Sequence, residues 1–265
     1  MTQSITVASG KGGVGKTSLS INLALTMCQL GSRVCLLDTD FGLANAHILL
    51  GMDPRETIQD VISGGQPLSE IRQTGPLGLQ FIAGGSGLND LLNLDDKTRF
   101  QIIRSTESLA DDTDVLIIDA PAGAADSSLA FVAAADKPVI VLVGEPTSFM
   151  DAYALIKAAH LEAGVEAFSI VVNMAHSEQE ARNHFDKFQA IAARFLDVKL
   201  YFAGHLPYSQ SVRNSIVQRK PIMAQKSDSR EAVAFQRIAA NLIKAPANTV
   251  RGIGFLGHVP KSEAS

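Results

Sequence analysis

The chain has 265 residues, of which 46% are hydrophobic and 19% charged, a composition typical of one large globular α/β domain. Its net charge of −4 argues against a generally basic DNA-binding surface, although a local basic patch remains open. The two cysteines, Cys28 and Cys35, form no CxxC pair and favour buried thiols in a reducing cytoplasm. No apolar run approaches a membrane span and no signal peptide precedes the first apolar run, so we expect a cytoplasmic protein.

Apolar runs alternate with helical patterns along the chain. The first strand is predicted at 5–8 and the first helix from about Lys16 to Leu30, with Gly31 as its stop. Strands follow at 34–37, 79–83, 115–118, 139–143, 168–172 and 200–203, and helices at 98–109, 149–163, 178–195 and 230–244. Several strands are continuously apolar, as in parallel sheets covered on both faces. The pattern predicts a single doubly wound, mostly parallel sheet flanked by helices over residues 1–244, with a flexible tail over 245–265.

The segment G-K-G-G-V-G-K-T, residues 10–17, follows the first predicted strand and opens the first predicted helix. This is the spacing and the context of a P-loop, in which glycines let backbone N–H groups surround phosphate oxygens. Lys16 is suited to the β- and γ-phosphates and Thr17 to Mg²⁺, and the start of the helix adds a positive dipole. We therefore predict an ATP and Mg²⁺ site, with this phosphate-binding set: Gly10, Lys11, Gly12, Gly13, Val14, Gly15, Lys16, Thr17 and Ser18.

Two further predicted strands end in acidic residues. Asp38 and Asp40 follow the second strand, where paired carboxylates favour a metal or water site, although Asp40 can also be read as a helix N-cap. Asp119 ends the hydrophobic run 115–118, which is the Walker B pattern, and is predicted to contact Mg²⁺. In parallel sheets, ligands bind at the carboxyl ends of the strands, so these acids are expected near the P-loop.

The second lysine of the loop, Lys11, is not needed to bind nucleotide. With it, K-G-G-V-G-K-T resembles the deviant Walker A motif of the MinD/ParA ATPases. That resemblance implies a homodimer closed by ATP, in which Lys11 reaches the partner subunit's nucleotide. It also implies that Asp40 orients the attacking water and that Asp38 lies near the Mg²⁺ shell. The segments 40–45 and 119–125 would be its switches.

The same resemblance assigns the adenine base to the ends of two later strands. Asn173 is similar to the asparagine that reads adenine, since an amide offers both a donor and an acceptor. Pro207 lies in a loop that resembles the one against the purine. As bare sequence both signals are weak, because Asn and Pro are common in loops.

The middle of the chain narrows the resemblance. Residues 144–157, G-E-P-T-S-F-M-D-A-Y-A-L-I-K, are very similar to a block of the FlhG/FleN flagellar regulators, and the likeness runs from about residue 4 to 244. It implies a slow, partner-regulated ATPase that controls flagellar number or placement as an antiactivator of flagellar gene transcription. The implied partners are a transcriptional activator of the FleQ type or flagellar assembly proteins, without sequence-specific nucleic acid binding by the chain itself.

Two other functions stay open at this point. One is a division-site or partition-type positioning ATPase that acts on membrane or nucleoid, and the other is a binding module in which ATP is only a structural clamp. Peripheral membrane contact also stays open, because the tail places Ile253, Phe255, Leu256 and Val259 near Arg251. Glycines and prolines in the tail oppose a stable helix.

Overall fold

The computed structural model describes residues 2–41, 45–85, 95–225 and 228–258. Within these residues, eight strands form one sheet in the order β3-β4-β2-β5-β1-β6-β7-β8, and all neighbours are parallel except β3 and β4. The strands are β1 Gln3–Ser9, β2 Val34–Asp38, β3 Gln73–Thr74, β4 Gln80–Ile82, β5 Val115–Ala122, β6 Lys137–Val143, β7 Ala167–Ala175 and β8 Lys199–Pro207. The predicted doubly wound, mostly parallel sheet is confirmed.

Ten α-helices connect the strands within the described residues. They are α1 Lys16–Gln29, α2 Ala46–Leu50, α3 Ile58–Gly64, α4 Asp96–Ser105, α5 Asp126–Ala133, α6 Pro146–Ala163, α7 Glu178–Ala192, α8 Gln210–Val217, α9 Ile222–Gln225 and α10 Arg230–Lys244. All seven predicted strands and all five predicted helices are present. Among the described strands and α-helices, those that the sequence reading missed are the two-residue β3 and five short helices, which have too few turns to show a period.

Two apolar layers cover the sheet, one on each face. One layer joins β1 and β2 to α1 and α10, with Leu19, Leu23 and Phe235 fully buried in it. The other joins the opposite side chains of the strands to α5, α6 and α7. Leu30, the last residue of the predicted first helix, lies just past the end of α1 and is 57% exposed. Among the described residues, no helix is long and apolar enough to cross a bilayer.

Residues 245–258 pack against the domain at the edge where the strands begin. The Phe255 ring is fully buried and stacks on Phe131 with centroids 6.3 Å apart, and the Phe255 N–H donates to the carbonyl oxygen of Ala134. The side chain of Asn248 accepts from and donates to the backbone of Ala167. Phe255 and Leu256, which the sequence made candidates for membrane contact, therefore lie in the core, while Val259 lies outside the described residues.

Candidate functional site

The glycine-rich loop joins β1 to α1 at the carboxyl edge of the sheet. Gly15 has a φ of +87°, and a Cβ there would lie 2.3 Å from Asn173 Nδ2. At Gly10 a Cβ would lie 2.1 Å from the backbone carbon of Asp151. Since a side chain would meet a neighbour at both positions, the loop requires glycine there. The helix begins directly at Lys16, so its uncapped N–H groups and positive dipole end lie beside the loop.

Lys16 and Asp119 form a buried ion pair at this helix start. Lys16 Nζ lies 2.9 Å from Asp119 Oδ1, and their side chains are 7% and 1% exposed. Ser20, one turn further along α1, donates its hydroxyl to the same oxygen at 2.8 Å. The other oxygen, Asp119 Oδ2, is buried and has no hydrogen-bond partner among the described residues. Leaving a buried carboxylate oxygen unpaired is costly, so the arrangement suits a further ligand such as a hydrated cation.

Asp38 lies beside Asp119 on the neighbouring strand, in direct register. Its two oxygens accept from the backbone N–H groups of Asp40 at 3.0 Å and Ala46 at 3.2 Å. Burial raises the pKa of Asp38 to about 7, and the negative charge of Asp119 adds to the increase. The structure thus brings the two predicted carboxylates together. Ionised, they carry one more negative charge than Lys16 neutralises, and this excess favours a cation.

Asp40 follows this strand end and is partly buried. Its backbone N–H holds Asp38, and α2 begins six residues later, after Asn45 at the N-cap position. The alternative reading of Asp40 as an N-cap therefore does not apply to α2. Residues 42–44 of the predicted switch 40–45 lie outside the described residues, and the water-orienting role of Asp40 stays a prediction.

Lys11 has partners quite different from those of Lys16. Its Nζ lies 3.2 Å from Glu145 Oε2 and 3.3 Å from Thr147 Oγ1, and its side chain is 42% exposed. Both partners belong to the segment after β6, where Glu145 is the N-cap residue and Pro146 the first residue of α6. The sequence reading marked this segment as a family block but missed its contact with Lys11, because the two lie 134 residues apart.

Asn173 and Pro207 lie at the ends of the adjacent strands β7 and β8. Asn173 donates through Nδ2 to the Val14 carbonyl oxygen at 2.7 Å, and its Oδ1 accepts from the Met174 N–H at 2.8 Å. These bonds hold the amide against the P-loop, and one N–H and one lone pair remain for an adenine edge. Pro207 ends β8, and Tyr208 donates its N–H to Ala175 in β7. Asn173 is thus in contact with the loop and Pro207 lies on the neighbouring strand, while adenine reading stays a prediction.

The two cysteines lie outside this cluster. Burial raises the pKa of Cys28 to about 11 and that of Cys35 to about 12. Cys35 is fully buried in β2, whereas Cys28 is only half-buried, which corrects the expectation of two buried thiols. Both thiols stay protonated near neutral pH, so neither is prepared to bind a metal as a thiolate.

A P-loop between the first strand and helix, a buried lysine–aspartate pair and a parallel sheet define a P-loop nucleoside-triphosphate-binding protein. The family model for ParA, described as NUBPL iron-transfer P-loop NTPase, matches residues 1–243. The chain therefore belongs to the ParA family of P-loop NTPases.

Individual relatives agree with this assignment. The chain is 41% identical over 244 residues to the antiactivator FleN of Pseudomonas aeruginosa, covering 92% of this chain and 87% of FleN. It is 28% identical over 243 residues to the flagellum site-determining protein YlxH of Helicobacter pylori, covering 91% and 82%. The cell division ATPase MinD of Pyrococcus furiosus superposes with a TM-score of 0.76 at 23% identity, covering 92% and 99%. At that identity the last comparison shows the fold alone.

Proposed function

We propose that this chain is an ATP-dependent switch of the MinD/ParA type that regulates flagellar number or placement as an antiactivator of flagellar gene transcription. The observation that carries the proposal is the separation of two lysines in one loop. Lys16 is buried against Asp119, whereas Lys11 lies at the surface. The first suits the chain's own nucleotide, and the second could serve another subunit once its exposed pair with Glu145 breaks. The likeness to an antiactivator and to a flagellum site-determining protein supports the cellular role.

The described residues fit a magnesium nucleotide. Carboxylate and hydroxyl oxygens are the ligands that Mg²⁺ prefers, and Thr17, Asp38 and the unpaired oxygen of Asp119 supply them at one strand edge. When bound, Mg²⁺ neutralises charge on the phosphates. The loop N–H groups and the start of α1 would hold the phosphate oxygens, and Lys16 would turn from Asp119 toward them.

Hydrolysis needs positioning more than covalent chemistry. Asp40, on the short connection between β2 and α2, would orient the attacking water. Lys11 of the partner subunit would add positive charge at the transferred phosphate. A cation supplied in trans assists phosphoryl transfer in this way. A slow turnover would then set the lifetime of the closed dimer, and the contacts of the γ-phosphate would bias the switch segments between two states.

The closed dimer would present a surface for a flagellar transcriptional activator of the FleQ type or for flagellar assembly proteins. The relative FleN is described as an antiactivator, which supports a protein target for this chain rather than a direct DNA target. The net charge of −4 also disfavours general DNA binding.

Light scattering after size exclusion tests the switch. With saturating ATP and Mg²⁺, we expect the Asp40→Ala protein to be a dimer and the same protein carrying Lys11→Ala to be a monomer. Lys187→Ala is the matched control, since Lys187 is also exposed and lies on α7 outside the loop. An Asp40→Ala protein that stays monomeric, or one that dimerises equally well without Lys11, would refute the proposal.

A positioning ATPase that acts on membrane or nucleoid is the second candidate, favoured by 34% identity over 196 residues to the septum site-determining protein MinD of Bacillus subtilis, covering 71% of this chain and 68% of that protein. Sedimentation with anionic vesicles and with duplex DNA, each with and without ATP, separates it from the first. Firm ATP-dependent sedimentation with either would favour the positioning function. Capture of a flagellar activator by the Asp40→Ala protein would favour the regulator.

A further inference from the structure

A cleft lies along the outer edge of β8, which is the last strand in the sheet order. It has a volume of about 690 Å³ and is walled by α7 on one side and α10 on the other. Phe202, Gly204 and Pro207 of β8 form its floor, and Val233 and Ala234 lie on the α10 wall. This cleft is distinct from the Lys16–Asp119 cluster, and Pro207 is the lining residue that it shares with the predicted adenine side of the nucleotide site.

Three arginines give the cleft its charge. Arg182 enters from α7, and Arg230 and Arg237 enter from α10, with side chains 54%, 68% and 68% exposed. Glu178 is the carboxylate among the lining residues, and hydrogen bonds from Arg182 lower its pKa, so it stays ionised. Arg230 also pairs with Glu231 at 3.1 Å, so the three arginines face two carboxylates. In a chain of net charge −4, this local excess of positive charge favours a negatively charged ligand.

The arginines are held in place but keep free donors. Arg182 Nη2 donates to Glu178 Oε1 at 2.9 Å, and its guanidinium lies 4.9 Å from the centre of the Phe202 ring. Arg237 reaches Glu178 Oε2 at 3.5 Å, which is a long contact. Each guanidinium carries five N–H donors, so most of those on Arg182 and Arg237 remain for carboxylates of a ligand.

The floor of the cleft is the open edge of the sheet. Asn241 on α10 donates its side-chain N–H to the Ala203 carbonyl oxygen at 2.9 Å, at a point where the β7–β8 register shifts. A side-chain amide of α10 therefore reaches the backbone of β8. From Arg230 to Asn241 the helix rises about 16 Å, the length of about five residues of extended chain. An extended peptide beside an edge strand is a common mode of recognition.

We propose that this cleft binds an extended acidic segment of a partner protein, which lies along β8 with its carboxylates on Arg182, Arg230 and Arg237. The shape and charge favour this occupant over nucleic acid, since the floor is an apolar strand edge and the rest of the chain is acidic. Phosphodiester binding is therefore an outcome that the test must distinguish.

Fluorescence anisotropy on the full-length, nucleotide-free protein tests the cleft independently of the ATP switch. The probe is a short fluorescein-labelled peptide in which glutamate alternates with valine, and the comparison peptide carries glutamine in place of glutamate. We expect the acidic peptide to bind and the double variant Arg230→Glu/Arg237→Glu to bind at least tenfold more weakly. Lys187→Glu/Arg194→Glu is the control with the same change of charge at exposed positions outside the cleft, and it should bind as the unmodified protein does.

Thermal unfolding checks that the cleft variant is folded. If it is not, Arg182→Gln/Arg237→Gln replaces it, with the same expected direction. The inference is overturned if the acidic peptide does not bind, if the glutamine peptide binds equally well, or if both double charge variants weaken binding equally. It is also overturned if a short duplex DNA binds more tightly than the acidic peptide at the same salt and is lost in the cleft variant.

Discussion

The ion pair between Lys11 and Glu145 has to break before Lys11 can serve a second subunit. In the substitution Glu145→Gln the side chain keeps its size but loses its charge. An exposed ion pair contributes about 0.2–1 kcal/mol. Lys11 Nζ lies 3.2 Å from Glu145 Oε2, and the two side chains are 42% and 61% exposed, so this is an exposed ion pair. Because each closed dimer breaks two such pairs, the substitution should favour the dimer by up to about 2 kcal/mol, or about twofold to thirtyfold in its dissociation constant.

Sedimentation velocity in saturating ATP and Mg²⁺ measures this constant, with Asp40→Ala present in every sample to block turnover. Glu166→Gln is the matched control. Glu166 pairs with Arg251 at 3.1 Å and is similarly exposed, but it lies just before β7, at the edge of the sheet opposite the P-loop. The control should leave the constant unchanged. If Glu145→Gln leaves the dimer equally strong, the pair does not restrain Lys11. A weaker dimer would mean that Glu145 contributes to the closed form, and either result refutes the reasoning.

Three further predictions follow from the buried and paired groups. Phe255→Ala should lower the free energy of unfolding by about 3–5 kcal/mol, because it removes a fully buried ring. Chemical denaturation measures this change. A loss below about 1 kcal/mol would show that the core does not need the tail. Asp119→Asn should abolish the Mg²⁺ dependence of nucleotide affinity in calorimetry, because it removes the negative charge proposed to hold the cation. An unchanged dependence would exclude Asp119 from the metal site. The hydrogen bond from Arg33 lowers the pKa of Asp114 from 3.8 to about 2, so this carboxylate stabilises the fold above about pH 3.8 and loses that effect as the pH falls through about 2. In Arg33→Gln the NMR titration of Asp114 should move back toward 3.8, and a midpoint that stays near 2 would assign the shift to another group.

Much of the fold could be predicted because its signals are local. The continuous apolar runs of β1, β2, β5 and β6 predict strands buried on both faces, and this is what a parallel sheet covered by two helical layers requires. Short elements such as α2 and α9 escaped prediction, because four or five residues make little more than one turn and show no period. They are held by their contacts with the rest of the domain.

The phosphate loop was already evident in the order of its residues, because the motif lies within eight positions and its strand and helix follow directly. The partners of its lysines were not evident. Lys16 and Asp119 meet across 103 residues, and Lys11 and Glu145 across 134, and no pattern along the chain states which acid lies beside which base. The location of Phe255 was misjudged for the same reason, since a tail rich in glycine gives no local sign that one ring fits against Phe131. Spacing along the chain specifies what a segment can bind, whereas packing between distant segments decides which charges are paired, which are buried and which are left at the surface.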